Sequence, residues 1–185
     1  MDKRHLMLKG YHGTLMGSAK RIQQEGFLPS TKEIEWLGEG IYFFTELGNA
    51  KYWAKQQQKK LKFVDLPVVL CVEIVTDSVG LLDLDIPETK QAFENEMCDV
   101  LDKWKKESGG VPNFHNDSRK MRCFFCNLYA SIHNEVKIIA YSFPRIHTDS
   151  DSLGFPSVIH SRQLCVRDKT CIKVPPRILD ELEAV

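Results

Sequence analysis

The chain has 185 residues, of which 43% are hydrophobic and 27% are charged, enough for one well-buried core and too few for two full domains. The formal net charge is zero, which removes any global electrostatic attraction to nucleic acid. The longest apolar run is too short to span a bilayer, and the opening residues do not resemble a signal peptide. We therefore expect one soluble, cytoplasmic domain over residues 1–185 that makes no contact with membranes.

The elements of the first half are predicted from hydrophobic periodicity and from Gly and Pro breaks. They are a strand at 9–14, a helix from 17 to Gly26, a loop at 28–40, a strand at 41–44, a helix from 47 to about 62, a strand at 68–75 and a short strand at 81–84.

The second half repeats this mixture of helices and strands. Its predicted elements are a helix from Pro87 to about 106, a helix from 118 to about 133, a strand at 137–143, a polar turn region at 145–157, a strand at 162–166 that ends the sheet and could pair with 170–174, and a C-terminal helix at 179–183. Because strands and helices do not alternate as βαβ units, the α+β class is favoured over a doubly wound sheet.

Six cysteines are distributed along the chain, and most lie in apolar segments, where a reduced thiol behaves as a small hydrophobic side chain. Cys123 and Cys126 alone have the spacing of a metal-binding pair. No second pair accompanies them, so two core cysteines one turn apart on a buried helix are favoured over a zinc site, and we expect no metal.

Two short segments carry most of the chemical information. His12 precedes Gly13 at the end of a predicted strand, and Tyr42 follows Gly40 at the end of a predicted loop. An imidazole, a ring and two backbones without side chains suit a flat amide that stacks on an aromatic ring. On residue types alone, however, a satisfied polar His and a Tyr in the core are the more common outcome.

The order of these segments resembles the first two motifs of the ADP-ribosyltransferase superfamily, in the His-Tyr-Glu branch that includes the poly(ADP-ribose) polymerases. The resemblance covers residues 11 to about 54 well and the remainder loosely. It implies an ADP-ribosyltransferase-like fold, with split mixed β-sheets, flanking helices and NAD as co-substrate. The matching segments are Tyr11-His12-Gly13-Thr14, Ile22 with Gly26-Phe27, Gly38-Glu39-Gly40-Ile41-Tyr42-Phe43, and Ala50 with Trp53.

The resemblance also implies a role for each matching residue. His12 would hydrogen-bond a ribose hydroxyl of NAD, and the backbone of Gly13 would hold the nicotinamide carboxamide. Thr14 would support that turn, and Gly40 would permit close approach of the ligand to the loop. Tyr42 would stack on the nicotinamide ring.

A second aromatic residue from the following helix would cover the other face of the nicotinamide. The family spacing places Trp53 there without a gap and Tyr52 with a one-residue gap, and Trp53 is slightly favoured. For both residues a place in an amphipathic helix packed on the core is the common alternative.

The third motif departs from the family pattern. The superfamily carries a catalytic Glu on a strand near the C-terminus, and the matching strand here has Gln163 in that place. An amide can orient a ribose hydroxyl, but it carries no charge for the cation formed as nicotinamide leaves. We therefore expect His12, Tyr42 and Gln163 to form the catalytic set, with transfer of single ADP-ribose units rather than polymers.

The acceptor is predicted from charge and aromatic residues in segment 103–122. This segment has six Lys and Arg residues against two acidic ones, with Trp104, Phe114 and His115 among them. Such a composition is compatible with single-stranded nucleic acid, although a solvated helix end is the more common explanation. Nucleic acid, with RNA included, is slightly favoured over protein as the acceptor.

The resemblance extends to biology, since bacterial and phage members of the superfamily serve as toxins and defence effectors. A toxin or defence role, with an antitoxin protein as partner, is therefore expected. Two alternatives remain: a module that binds NAD or ADP-ribose without transfer, and an NAD hydrolase in which water is the acceptor.

Overall fold

The computed structural model describes residues 4–62, 64–108, 110, 112–114, 117–150, 156–173 and 175–179. In these ranges seven strands and four α-helices follow one another along the chain. They are β1 His5–Leu15, α1 Met16–Glu25, β2 Ile41–Phe44, α2 Leu47–Lys60, β3 Pro67–Asp77, β4 Leu81–Asp83, α3 Pro87–Ser108, α4 Ser118–Ile132, β5 Ile138–Ser150, β6 Pro156–Val166 and β7 Arg177–Leu179.

All seven strands belong to one open mixed sheet with the order β4-β5-β6-β2-β1-β3-β7. The β4–β5 pair is parallel and the other pairs are antiparallel. β1 aligns with β3 along its whole length, whereas β1 and β2 share one aligned pair, Tyr11 and Phe44. The sheet is therefore continuous but weakly paired between β1 and β2, where the two predicted segments meet.

The core has two parts because successive side chains of a strand point to opposite faces of the sheet. Ile41 and Phe43 of β2 belong to a cluster that includes Leu70, Ile74 and residues of α1. Tyr42 lies between them in sequence and packs against the second cluster, which contains Leu37 and Cys165. The alternation of β2 thus places Tyr42 on the face that carries the loop and α4.

The single α+β domain predicted from the sequence is confirmed, and the elements of the first half lie within a few residues of their predicted bounds. Residues 145–157 were predicted as a turn region, which is wrong. Residues 145–150 extend β5, and β6 begins at Pro156. Backbone pairing with the neighbouring strand outweighs the turn propensity of a polar segment, because β propensity depends strongly on context. Residues 151–155 lie outside the described ranges.

Two further predictions for the second half are wrong, and a third lies mostly outside the described residues. β6 does not end the sheet but lies between β5 and β2. Lys169–Cys171 forms a 3₁₀ turn rather than a strand, because the side chain of Asp168 accepts a hydrogen bond from the Thr170 N–H. Leu179 pairs with Val69 as the end of β7 instead of starting a helix, since this strand completes the edge of β3. Residues 180–183 lie outside the described part.

Candidate active site

A cavity of about 350 Å³ collects residues from β1, β2, α2, β6 and the loop at 28–40. Its volume lies at the lower end of the range usual for small-molecule sites. Six of the eight predicted site residues line it, although the first and last of them are 151 positions apart in sequence. They are His12, Gly13, Gly40, Tyr42, Trp53 and Gln163.

His12 is a half-buried residue whose ring is held in one orientation. Its Nδ1 lies 2.9 Å from the backbone oxygen of Tyr42, and because a carbonyl only accepts, Nδ1 carries the proton. The ring also packs edge-on against Phe27 and Phe43. Burial lowers the pKa of His12 below its ordinary value, so the ring is neutral near pH 7. In this state Nε2 is a hydrogen-bond acceptor that can receive a hydroxyl group.

Tyr42 offers the cavity its ring and not its hydroxyl group. The phenol donates a hydrogen bond to the Gly38 carbonyl at 2.6 Å and accepts one from the Leu37 N–H at 2.8 Å. Burial is the main cause that raises the pKa of Tyr42, so the phenol stays protonated. With the hydroxyl committed to the loop, the remaining function at this position is stacking and apolar contact.

Close packing requires glycine at positions 13 and 40. A Cβ atom at Gly13 would lie 2.1 Å from the Ala50 carbonyl oxygen, so the glycine lets α2 approach β1. A Cβ atom at Gly40 would lie 2.5 Å from the Cys165 Sγ, so this glycine lets the loop approach β6. Glycine at these positions therefore has a structural reason whether or not a ligand uses the backbone there.

The two aromatic residues of α2 differ in their position relative to the cavity. Trp53 lines it, with its ring centroid 6.4 Å from that of Phe44 and the Lys60 ammonium 5.6 Å from its ring. Tyr52 is also partly exposed but is not part of the lining. Thr14 does not line the cavity either, because it lies within β1 opposite Val68 and not in a turn.

Gln163 is positioned by strand pairing. It aligns with Phe44 of β2 on one side and with Tyr141 of β5 on the other, which places it beside the cavity. The side chain is half-buried, and within the described part of the chain its amide makes no hydrogen bond. The amide is thus available to a ligand, and β6 contributes no carboxylate to this cavity.

The loop at 28–40 contributes lining residues that the sequence analysis missed. Ser30, Lys32, Glu35 and Trp36 all line the cavity beside Tyr42. The loop sequence gives no periodic signal, so the position of these side chains becomes visible only when the loop is folded.

Two distant residues hold the loop at Glu39. The Asn127 Oδ1 accepts a hydrogen bond from the Glu39 N–H at 2.7 Å, and the Arg167 guanidinium donates to the Glu39 carbonyl at 2.9 Å. The same guanidinium nitrogen donates to Asn127 at 2.8 Å. These contacts join α4 and the end of β6 to the loop, and no local sequence pattern predicts them.

Cys123 and Cys126 lie buried on α4, as predicted for core cysteines. Burial raises the pKa of Cys126 to about 12, so its thiol is protonated in this environment. In the described ranges no three His, Cys, Asp or Glu side chains cluster as a metal site, and no helix there is long and apolar enough to cross a bilayer.

The basic segment 103–122 adjoins the loop through the start of α4. The Arg122 guanidinium donates to the Trp36 carbonyl at 3.1 Å, and the Lys120 ammonium lies 3.9 Å from a Glu33 carboxylate oxygen. Phe114 and Trp104 pack against Phe124 instead of standing apart from the helices. His115 lies outside the described residues. Positive charge, more than open aromatic rings, is therefore what this surface offers a ligand.

A larger cavity of about 500 Å³ lies between α3 and α4 and contains none of the predicted site residues. Its lining is mostly apolar, with Phe93, Met97, Leu101 and Phe125. Its lining also includes Lys90, Glu94 and Arg122, but Lys90 pairs with Glu94 at 3.8 Å and Arg122 donates a hydrogen bond to the Trp36 carbonyl. The smaller cavity around His12 is therefore the better candidate for an active site.

Comparison with known proteins gives little further information. No family model matches the chain, and no solved structure matches it. Over 86 residues the chain is 31% identical to the uncharacterized protein MJ0359 of Methanocaldococcus jannaschii. The matched segment covers 45% of this chain and 40% of that protein. The chain thus matches less than half the length of this relative, whose name states no activity.

Proposed function

We propose that this protein is a mono-ADP-ribosyltransferase of the His-Tyr-Glu type that cleaves NAD and transfers ADP-ribose to a macromolecule. The observation that carries the proposal is the convergence of His12, Gly13, Tyr42, Trp53 and Gln163 around one cavity. The resemblance to the superfamily implies a role for each of these residues, and a chance likeness of scattered residues gives no reason for them to meet. The split-sheet fold of that superfamily is part of the proposal, supported by the weak β1–β2 pairing.

The proposed site uses its residues to bind and orient NAD. The neutral Nε2 of His12 accepts a hydrogen bond from a ribose hydroxyl, while Tyr42 and Trp53 enclose the nicotinamide ring. Gln163 orients a hydroxyl of the nicotinamide ribose through its unengaged amide. Holding the nicotinamide ring between two aromatic side chains also excludes water from the bond between nicotinamide and ribose that breaks.

The acceptor is proposed to be nucleic acid, with protein as the alternative. The start of α4 supports this choice, because its basic residues adjoin the loop that lines the cavity. A base amine in RNA or DNA is itself a reasonable nucleophile, so it places little demand on a local base.

Incubation of the purified protein with NAD labelled in the adenylate moiety and a cell lysate tests the proposal. Label on macromolecules is expected, and nuclease treatment should release it if the acceptor is nucleic acid. Free labelled ADP-ribose alone would instead indicate an NAD hydrolase. Intact NAD with measurable binding would indicate a module that binds without transfer, which the neutral side chain of Gln163 makes the main second candidate.

Matched variants separate the proposed clamp from unspecific loss of structure. Trp53→Ala is expected to weaken NAD binding by roughly tenfold, the loss expected for about 1.4 kcal/mol of aromatic stacking. Tyr52→Ala, a neighbouring change outside the cavity lining, should leave binding within about threefold of wild type. Equal losses in both variants would contradict the proposed clamp.

The effector role is proposed on the resemblance and is tested in cells. Induced expression is expected to arrest growth, whereas expression of His12→Ala at the same level should not. Growth arrest by both proteins would show that toxicity does not depend on the proposed site.

A further inference from the structure

The neutral amide of Gln163 leaves the proposed reaction without a carboxylate on β6. When the bond between nicotinamide and ribose breaks, positive charge develops on the ribose ring, and a fixed negative charge nearby lowers the barrier. An amide supplies only a dipole. A carboxylate that stabilises this positive charge must therefore come from another part of the cavity.

Glu35 is the acidic residue in the cavity lining. It lies on the loop at 28–40, is half-buried and lines the same cavity as Gln163 and Tyr42. The Ser30 hydroxyl donates a hydrogen bond to the Glu35 Oε1. Ser30 is fixed in turn by two backbone hydrogen bonds with Gly40, at 2.8 and 3.1 Å. The carboxylate is thus held against β2 and is not free to swing out with an open loop.

The charge of this carboxylate is not offset by an ion pair within the part of the chain that the structure describes. Across the described ranges Glu35 forms no ion pair with Lys, Arg or His, whereas Glu33 on the same loop lies 3.9 Å from Lys120. Burial is the main cause that raises the pKa of Cys165 to about 12, and the negative charge of Glu35 raises this pKa further. Cys165 lies on β6, the strand that carries Gln163, so the charge of Glu35 acts on that strand. The cavity therefore contains a positioned negative charge without an ion-pair partner among the described residues, and Lys32 is the cation in the same lining.

We infer that Glu35 is the catalytic carboxylate of this site and takes over from the loop the electrostatic role that Gln163 cannot perform on β6. This inference rests on the proposed cleavage of NAD. The C1′–N bond breaks, both bonding electrons pass to the nicotinamide nitrogen and neutralise the pyridinium, and the ribose carries the positive charge beside Glu35. The acceptor then forms a bond to C1′ and releases its proton to the carboxylate or to water.

Single-turnover cleavage of NAD by Glu35→Gln and by a control variant of the same loop tests the inference. Glu35→Gln keeps the size and the hydrogen bond to Ser30 but removes the charge, and it should reduce the cleavage rate by about 10²- to 10³-fold. Its NAD dissociation constant should stay within about threefold of wild type. Glu39→Gln, on the same loop but outside the cavity lining, is the matched control and should retain the wild-type rate.

A rescue experiment tests the division of roles directly. Gln163→Glu in the Glu35→Gln background returns a carboxylate to the cavity from β6. The double variant should cleave NAD at least about tenfold faster than Glu35→Gln alone. A Glu35→Gln protein that cleaves NAD at the wild-type rate would overturn the inference and leave the proposed transferase function standing.

A binding measurement distinguishes failure of the inference from failure of the proposed function. An iminoribitol, a ribose mimic with a positively charged ring nitrogen, should bind the wild type at least about tenfold more tightly than Glu35→Gln. If the wild type releases no nicotinamide but shows this preference, the transferase proposal is wrong and the placement of Glu35 stands. If neither rate nor iminoribitol binding depends on Glu35, the inference is wrong.

Discussion

Replacing Tyr42 with Phe removes one oxygen atom and separates two functions of this side chain. The phenol joins the loop to β2 through the Leu37 N–H and the Gly38 carbonyl, and both of these residues are buried. The aromatic ring, which is proposed to stack on nicotinamide, remains in the variant. A loss of stability with retained stacking is therefore expected.

The magnitude follows from the groups left without partners. The Leu37 N–H loses its hydrogen-bond acceptor, and the Gly38 carbonyl keeps a weak contact with the Cys165 thiol at 3.7 Å. An unsatisfied buried backbone group costs roughly 1–3 kcal/mol, so the free energy of unfolding should fall by roughly 2–3 kcal/mol in total. Urea unfolding at neutral pH measures this loss, with the dependence on urea concentration unchanged.

The matched control is Tyr141→Phe, which removes a phenol without a hydrogen bond in the described part of the chain. This change should alter the free energy of unfolding by less than about 0.5 kcal/mol. NAD binding should weaken less in Tyr42→Phe than in Tyr42→Ala, because only Ala removes the ring. A loss of stability in Tyr42→Phe no larger than in Tyr141→Phe would refute the role of the phenol in holding the loop.

Three further predictions concern β1, its packing and the acceptor surface. Since the folded-state pKa of His12 is lowered, its contribution to stability is complete above the unfolded-state pKa of about 6.5 and is lost as pH falls below it. Relative to His12→Gln, the wild type should therefore lose up to about 1.4 kcal/mol per pH unit below 6.5 in urea unfolding, and parallel profiles would contradict the buried neutral ring. Gly13→Ala should destabilise the fold by about 1–3 kcal/mol, because the added Cβ meets the Ala50 carbonyl at 2.1 Å; Gly48→Ala, where a Cβ has open space, should not destabilise it. Removing four basic side chains should reduce transfer to the acceptor while leaving NAD binding intact, and unchanged transfer would exclude this surface. The four residues are Lys103, Lys105, Arg119 and Lys120.

The sequence by itself determined β2, α2 and most residues of the candidate site. The periods of apolar residues located β2 and α2 closely, because both elements carry their signal within a few consecutive positions. The ordered motifs from Tyr11 to Trp53 identified five of the six predicted residues that line the cavity, and Gln163 was added by its place on a strand. Whether these residues bind NAD stays a prediction.

Other features of the site were decided by tertiary structure alone. Asn127 and Arg167 hold Glu39 across 88 and 128 positions of sequence, and such long-range hydrogen bonds leave no local pattern. The central place of β6 depends on its pairing with β2 and β5 and not on its own composition. The position of Glu35 was decided in the same way, because only the folded loop places this carboxylate, which has no ion-pair partner among the described residues, in the same cavity as the neutral Gln163.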